Sequence, residues 1–227
     1  MNVVYALTRN VYKWLLPSLT SLFKHNPDAN VTILCEDDAL DLPFKVKVIN
    51  VSDQKYFAPN SVNYRNQFSY INLLKVAYPE LLPKMQKVIH LDIDTIITGP
   101  LDDLWNTDVK GKWFAAVQEF RGKYKPFGSR YYNMGVALIN LQQMRKDKIV
   151  PELVGYLNGV RQPWADQDAW NKYGLEQDKI AELPLRFNEN CMTGYTDDPG
   201  IVHYCSIGDW FTNRSMFRRE YLEEYKN

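Results

Sequence analysis

Two aspartates stand two residues apart at the end of an apolar segment, in the stretch KVIHLDIDTII at residues 87–97. On extended backbone, residues i and i+2 face the same way, so Asp92 and Asp94 can address one common partner. An ionised carboxylate is costly to remove from water, so an acid at the end of a buried strand needs a counter-charge, a proton or a metal ion. Each of these partners predicts a different function.

Three interpretations of the acid pair stay open on these residues alone. An Asp-x-Asp pair can cap a turn or pair with a surface lysine, and so short a pattern often matches by chance. DIDTI also fits the Asp-x-Asp-x-Thr motif of haloacid dehalogenase-type phosphatases, although that family carries the motif on its first strand. As a metal site, two carboxylates suit Mg²⁺ or Mn²⁺. The candidates for a third ligand then include the three histidines, His25, His90 and His203.

Composition narrows the class of protein. The 227 residues are 45% hydrophobic and 24% charged, with 27 basic and 27 acidic residues, so general nucleic-acid binding is not expected. Three cysteines without close pairing, at positions 35, 191 and 205, favour a reducing compartment. The start MNVVYALTRN lacks the features of a signal peptide, and no stretch approaches the roughly 20 apolar residues that cross a bilayer. We therefore expect a cytoplasmic protein, with at most peripheral contact of segment 210–227 with the inner face of the membrane.

Short apolar runs alternate with segments of helical periodicity. The predicted strands are 2–8, 30–37, 44–52, 87–94, 112–120, 133–141, 180–188 and 200–206, and the predicted helices are 11–25, 64–82, 100–105, 141–158 and 165–173. This alternation is typical of an α/β fold with a mostly parallel central sheet covered by helices. No repeat or flexible linker interrupts the chain, so we expect a single domain over residues 1–227. Ligands of such sheets bind at the carboxyl ends of strands, where the acid pair lies.

Five segments, taken in order, resemble glycosyltransferase family 8, whose members are retaining enzymes with the GT-A fold (a Rossmann-like nucleotide-diphospho-sugar transferase fold). They are YALTRN at 5–10, KVAYPELLPKMQKVIHLDIDTIITGPLDDLW at 75–105, YYNMGVALINL at 131–141, WADQDAWN at 164–171 and VHYCSIGDW at 202–210. Each segment alone is a weak signal, but together they extend the resemblance over nearly the whole chain. The resemblance implies metal-dependent transfer of a hexose, glucose or galactose, from a UDP-sugar.

The resemblance also implies roles for individual residues. Mn²⁺, with Mg²⁺ as the alternative, would bridge the donor diphosphate and be held by Asp92, Asp94 and His203. The residues implied for the nucleotide are Ala6, Thr8, Asn10, Lys75, Asp92, Ile93 and Asp94, and those implied for the sugar are Lys75, Asp92, Glu119, Asn133, Asp166 and Gln167. Gln167 and Asp166 are the implied catalytic residues.

Retention of the anomeric configuration requires either a covalent intermediate or attack from the face that the leaving group occupies. Gln167 carries a neutral amide, which is a poor nucleophile. We therefore expect front-face attack, in which the leaving phosphate oxygen takes the proton of the acceptor. Double displacement through Asp166 is the alternative. The acceptor is expected to be a glycan, a lipid-linked glycan or a protein.

The closing motif departs from the family's pattern. Members usually continue Gly-x-x-Lys-Pro-Trp after the histidine, whereas this chain reads CSIGDW at 205–210 and lacks the lysine that grips the diphosphate. Lys75, Arg9 or Arg214 would then supply that grip. The missing lysine also motivates an alternative of another class, a catalytically weak nucleotide-sugar-binding or scaffolding protein.

Overall fold

The computed structural model of the chain describes residues 1–65, 69–120, 130–205 and 218–225. Within these ranges the strands are β1 (Asn2–Ala6), β2 (Asn30–Cys35), β3 (Lys47–Asn50), β4 (Val88–Leu91), β5 (Thr95–Ile97), β6 (Phe114–Gln118), β7 (Tyr132–Ile139), β8 (Ile180–Glu182) and β9 (Ile201–His203). The α-helices are α1 (Leu16–His25), α2 (Tyr70–Leu73), α3 (Tyr78–Leu81), α4 (Asp102–Asn106), α5 (Leu141–Asp147), α6 (Val150–Gly159), α7 (Asp166–Glu176) and α8 (Arg219–Tyr225). Short 3-10 helices cover Arg9–Leu15, Leu74–Ala77 and Leu185–Phe187.

Seven strands form one sheet in the order β3-β2-β1-β4-β7-β6-β8. Strands β3, β2, β1 and β4 run parallel to one another, and β8 is parallel to β6. Strand β7 runs antiparallel to both β4 and β6. The predicted α/β architecture with a mostly parallel sheet is therefore confirmed. The remaining strands, β5 and β9, form a separate antiparallel pair.

Both faces of the large sheet are covered by apolar side chains. In β1, Val3 and Tyr5 pack into one buried cluster with Leu19 and Leu22 of α1. The alternate residues Val4 and Ala6 pack into the cluster on the other face, which also contains Leu153, Leu157 and Trp170 of α6 and α7. A strand that is buried on both faces reads as a continuous apolar run, which explains why β1 was visible in the sequence.

Some predicted elements are wrong in detail. The single helix expected over 141–158 is two helices, because Lys148 adopts a left-handed conformation with φ 53° at the end of α5. Pro151 then lies in the first turn of α6, where the missing N–H costs nothing. The strand expected over 180–188 is correct only for β8, since Leu185–Phe187 is a 3-10 helix. Strand β5 was not predicted. No α-helix in the described ranges has both the length and the apolarity needed to cross a bilayer.

Candidate active site

The two aspartates lie in the tight connection between β4 and β5. The backbone N–H of Asp92 donates to the carbonyl of Gly135 in β7 at 2.7 Å, and the Thr95 hydroxyl donates to the Asp92 carbonyl at 2.9 Å. The carbonyl of Asp94 accepts the N–H of Tyr204 at 2.9 Å. The acid pair is thus held by backbone bonds to the large sheet on one side and to the chain just after β9 on the other.

The antiparallel pair of β5 and β9 brings His203 to the aspartates. Thr95 lies opposite His203 in its register. The His203 Nε2 atom lies 3.3 Å from Asp94 Oδ1 and 3.8 Å from Asp92 Oδ2. One ligand atom from each of the three residues lies within 4.8 Å of the others. Two carboxylates and one imidazole form a donor set that suits Mn²⁺ or Mg²⁺.

The space beside this cluster depends on Gly135. A Cβ atom added at Gly135 would lie 2.1 Å from His203 Cε1 and 2.8 Å from Asp92 Oδ2. Any side chain here would therefore displace His203 and Asp92. Only glycine at position 135 leaves room for both side chains to face the same space, as a cation site here requires. The residues present therefore fit a divalent metal.

The other two histidines do not join the cluster in the same way. His25 contacts Tyr225 at the surface, at 3.3 Å. His90 lies behind Asp92, with Nε2 3.0 Å from Asp92 Oδ1 and Nδ1 3.1 Å from the Tyr78 hydroxyl. Burial, followed by the charge of Lys75, lowers the pKa of His90 to about 4. His90 is therefore neutral near pH 7, so Nε2–H donates to Asp92 and Nδ1 accepts from Tyr78.

Lys75 is a buried cation between two carboxylates. Its ammonium lies 3.2 Å from Asp166 Oδ2 and 3.6 Å from Asp92 Oδ1. Against the opposing effect of burial, Lys75 and then His90 lower the pKa of Asp92. At Asp166 burial is the larger effect and raises the pKa to about 6, although Lys75 opposes it. Against burial, Cys205 and Asp94 raise the pKa of His203.

Amide side chains stand beside the acid cluster. Gln167, in the first turn of α7, accepts the N–H of Met134 through Oε1 at 2.9 Å. Its Nε2 donates to Glu119 Oε1 at 3.3 Å. Asn133 of β7 donates to the same Glu119 oxygen at 2.7 Å. Both amides are held in one orientation, because a backbone N–H group meets the oxygen of each amide and the Glu119 carboxylate meets its nitrogen.

These groups open onto a cleft of about 510 Å³ at the carboxyl ends of β1 and β4. Its lining includes ten of the twelve residues singled out from the sequence, namely Ala6, Thr8, Lys75, Asp92, Ile93, Asp94, Asn133, Asp166, Gln167 and His203. Asn10 is exposed and does not line the cleft; its side chain accepts a hydrogen bond from Thr8. Glu119 is completely buried beneath Asn133 and Gln167 and does not line it either.

Two of the three basic side chains expected to bind the diphosphate lie within the described residues. Lys75 lines the cleft. Arg9 is largely exposed and pairs with Asp37 at 3.1 Å. Arg214, like most of the divergent CSIGDW segment, lies outside the described residues.

Comparison with known proteins identifies the family. The profile of "Glycosyl transferase family 8" matches residues 2–208, which is nearly the whole chain. The chain belongs to glycosyltransferase family 8. Relatives include a putative glycosyltransferase of Haemophilus influenzae, 24% identical over 210 residues that cover 83% of this chain and 63% of that protein. Glycosyltransferase GlyA of Streptococcus pneumoniae serotype 4 is 29% identical over 154 residues that cover 63% of this chain and 22% of GlyA. The chain thus spans less than two thirds of the length of these relatives.

Solved structures confirm the fold. Galactosyltransferase LgtC, in complex with donor and acceptor sugar analogues, matches with a TM-score of 0.75 at 22% identity, over 99% of this chain and 95% of LgtC. The bifunctional glycosyltransferase WbbM matches with a TM-score of 0.75 at 19% identity, over 100% of this chain and 50% of WbbM. The predicted GT-A fold is therefore confirmed for this family 8 chain.

Two residues of this family 8 site were not singled out from the sequence. Gly135 interrupts an otherwise apolar strand, and a glycine in a strand interior often marks a close approach of another group. That signal was available. Asn188 is completely buried and bonds to both Asn133 and His203. It follows LPLRF in a segment that was read as an ordinary strand, so the sequence alone gave no sign of its position.

Proposed function

We propose that this chain is a metal-dependent retaining glycosyltransferase that moves a hexose, glucose or galactose, from a UDP-sugar to an acceptor. The observation that carries the proposal is the cluster of Asp92, Asp94 and His203 on a cleft that Asn133 and Gln167 also line. A diphosphate-binding cation and polar groups for a sugar ring would thus face one space. Family 8 membership supports glycosyl transfer as the reaction class.

A divalent cation, Mn²⁺ or Mg²⁺, held by Asp92, Asp94 and His203 would neutralise the charge that develops on the departing diphosphate. The residues around it prepare the site. Lys75 keeps Asp92 ionised and therefore available as a ligand. Ala6 and Thr8 line the cleft beyond the end of β1, where we place the nucleoside.

Two observations support front-face attack over a covalent intermediate. The Gln167 amide is neutral, and its Oε1 already accepts the N–H of Met134. The Asp166 carboxylate is paired with Lys75 at 3.2 Å, which neutralises the charge that a nucleophile would use. In this mechanism Gln167 and Asn133 contact the sugar ring, and the leaving phosphate oxygen takes the proton of the acceptor. Glu119 then orients both amides from below instead of touching the sugar.

The acceptor is proposed to be a glycan, a lipid-linked glycan or a protein. The cytoplasmic location and any peripheral contact with a membrane stay predictions. The phosphatase interpretation finds no support, because the DIDTI motif follows β4 and not the first strand. The alternative is a nucleotide-sugar-binding or scaffolding protein with this fold, and an assay must distinguish it from an active transferase.

The test is release of UDP from a panel of UDP-sugars with Mn²⁺ and no acceptor. We expect turnover of one donor, lost on chelation and in Asp94→Ala, and retained in the matched control Asp102→Ala at the exposed start of α4. A donor-induced rise in Tm without turnover, even with added acceptor glycans, would favour the binding protein. Silence in both measurements across the panel would contradict the UDP-sugar assignment.

A further inference from the structure

A chain of buried polar side chains joins the sugar end of the site to the metal end. Asn133 Nδ2 donates to Glu119 Oε1 at 2.7 Å, and Asn188 Nδ2 donates to Asn133 Oδ1 at 2.8 Å. Asn188 Oδ1 then lies 3.0 Å from His203 Nδ1. All four residues are at most 4% exposed. Because each link is short and shielded from water, the donor and the acceptor in each pair must be matched.

The donor-to-acceptor direction of these hydrogen bonds is fixed first at Asn133. The backbone N–H of Gly135 points at one end of its amide, at 2.9 Å. A backbone N–H is always a donor, so the atom that it meets is the oxygen, Oδ1. The nitrogen of Asn133 then faces the Glu119 carboxylate, which accepts. The amide cannot be turned around without opposing two donors.

The direction is fixed a second time at Asn188, from two sides. Its neighbour Asn133 offers an oxygen, so Asn188 must present its nitrogen there. On the other side, Asn190 Nδ2 donates to Asn188 Oδ1 at 3.0 Å. The orientation of Asn190 is itself set by backbone donors, since its Oδ1 accepts the N–H groups of Met192 and Thr193 at 2.8 and 3.1 Å. Both routes place the oxygen of Asn188 against the histidine.

An oxygen acceptor 3.0 Å from a ring nitrogen requires a proton on that nitrogen. We propose that Asn188 is the positioning residue that holds a proton on Nδ1 of His203, so that Nε2, which faces Asp92 and Asp94, is the nitrogen that releases its proton to solvent when a cation binds. The thiol of Cys205 also lies 3.4 Å from Nδ1 and could donate there. Such a bond would leave two acceptors, Nδ1 and Asn188 Oδ1, opposed in a buried site. The stronger and shorter contact with Asn188 therefore decides the tautomer.

This inference rests on the proposed function, because a bare Nε2 matters only if His203 binds a cation. An imidazole that ligates a metal through one nitrogen usually donates its other N–H to a fixed acceptor, which sets the ring orientation and the tautomer. Asn188 has that geometry. Through Asn133 it also ties the metal ligand to Glu119, which orients Gln167. One network thus fixes the tautomer at the metal end and the amide direction at the sugar end.

The experiment measures the proton directly. Full-length protein with ¹⁵N-labelled histidine is loaded with diamagnetic Zn²⁺, and the ring nitrogens of the three histidines are assigned by His25→Gln and His203→Gln. We expect His203 to carry its proton on Nδ1 and to bind Zn²⁺ through Nε2. Ligation through Nδ1, or a proton on Nε2, would overturn the proposal.

Mn²⁺ affinity, measured by electron paramagnetic resonance of free Mn²⁺, tests Asn188 itself. Asn188→Leu should raise the Kd for Mn²⁺ by about 10- to 100-fold, as expected for loss of a group that orients a metal ligand. Asn188→Asp keeps an acceptor for Nδ1–H and should bind Mn²⁺ as tightly as wild type or more tightly. Asn63→Leu removes another buried, bridging asparagine that does not line the cleft and controls for lost stability, which Tm monitors in every variant.

The outcomes separate this inference from the function on which it rests. Unchanged Mn²⁺ affinity in a folded Asn188→Leu variant would overturn the role of Asn188 and leave the metal site intact. Failure of wild-type protein to bind either Mn²⁺ or Zn²⁺ would overturn both. Weak binding in Asn188→Leu and Asn188→Asp alike would show that an acceptor oxygen beside Nδ1 is not enough to hold His203, and would also overturn the proposal.

Discussion

His90 and His203 approach Asp92 from its two oxygens: His90 Nε2 lies 3.0 Å from Oδ1 and His203 Nε2 lies 3.8 Å from Oδ2. The two rings play opposite parts. His90 donates a hydrogen bond from Nε2 because its Nδ1 accepts one from the Tyr78 hydroxyl, whereas Nδ1 of His203 donates a hydrogen bond to Asn188. Oδ1 of Asp92 is thus engaged by His90 and Lys75, whereas Oδ2 faces His203.

The first prediction concerns Gly135→Ala. The new Cβ would overlap His203 Cε1, so the histidine must leave the cluster and the Kd for Mn²⁺ should rise at least 10-fold, by analogy with the loss of groups that hold a ligand. Gly155→Ala in α6 is the matched control, since a Cβ there meets nothing within 4 Å. It should raise Tm slightly, because alanine favours a helix by about 1 kcal/mol over glycine. Equal Mn²⁺ affinity in both variants, by titration, would contradict the close packing around His203.

The second prediction concerns the buried cation. Lys75→Met leaves Asp92 and Asp166 without their counter-charge, and we expect it to lower the free energy of unfolding by about 3–5 kcal/mol at pH 7 without metal. Asp166→Asn removes one of the uncompensated charges. The double variant should therefore cost less than the two single variants together, with a coupling of about 0.5–3 kcal/mol. Urea unfolding measures all three, and strict additivity would show that Lys75 and Asp166 do not act as a pair.

The third prediction concerns pH. His90 takes a proton only near pH 4 when folded, but near its ordinary value of 6.5 when unfolded. The unfolded state therefore binds the proton first, and stability falls as pH is lowered from 6.5 to 4, by up to about 1.4 kcal/mol per pH unit. In His90→Gln this part of the pH dependence should disappear. His25→Gln, whose histidine is less buried, should change the profile less. A slope that His90→Gln leaves unchanged, in urea unfolding of metal-free protein, would mean that His90 is not buried as a neutral base.

The fourth prediction concerns the attachment of α8. Arg218 precedes this helix and pairs with the completely buried Glu189 at 2.5 Å, while its carbonyl accepts the Tyr204 hydroxyl at 2.8 Å. Arg218→Met strands a buried carboxylate, so hydrogen exchange should accelerate throughout α8. Arg219→Met is the control, because Arg219 pairs with Glu223 on the helix surface and such pairs contribute at most about 1 kcal/mol. Equal exchange in the two variants would show that the Glu189 contact does not hold the helix.

The sequence predicted the general fold well because the main signals are strong. Strands such as β1 and β4 are buried on both faces and read as apolar runs, and Asp92 and Asp94 were located by their spacing alone. The third member of the cluster was different. Nothing in the spacing separated His203 from the other histidines, and only the resemblance to family 8 implied it.

The physical reason is that long-range pairing, and not local pattern, positions His203. Strand β5 has three residues and follows β4 so closely that the two read as one apolar run. Its pairing with β9 places Thr95 opposite His203, and no local propensity encodes that register. Glu119 shows a similar limit. Glu119 directly follows β6, which has a register shift between Ala116 and Val117, so alternation along β6 does not predict whether Glu119 lines the cleft or lies beneath it.

The pairing of β5 with β9 also bears on how the chain is assembled. Asp94 and His203 are far apart in sequence, so a cation bound by both would act as a cross-link that closes a long loop and restricts the unfolded chain. Synthesis delivers β9 after every other strand of the described sheets, so a nascent chain carries both aspartates before it carries His203. If the proposed cation site is correct, the affinity for that cation will report whether β9 has paired with β5.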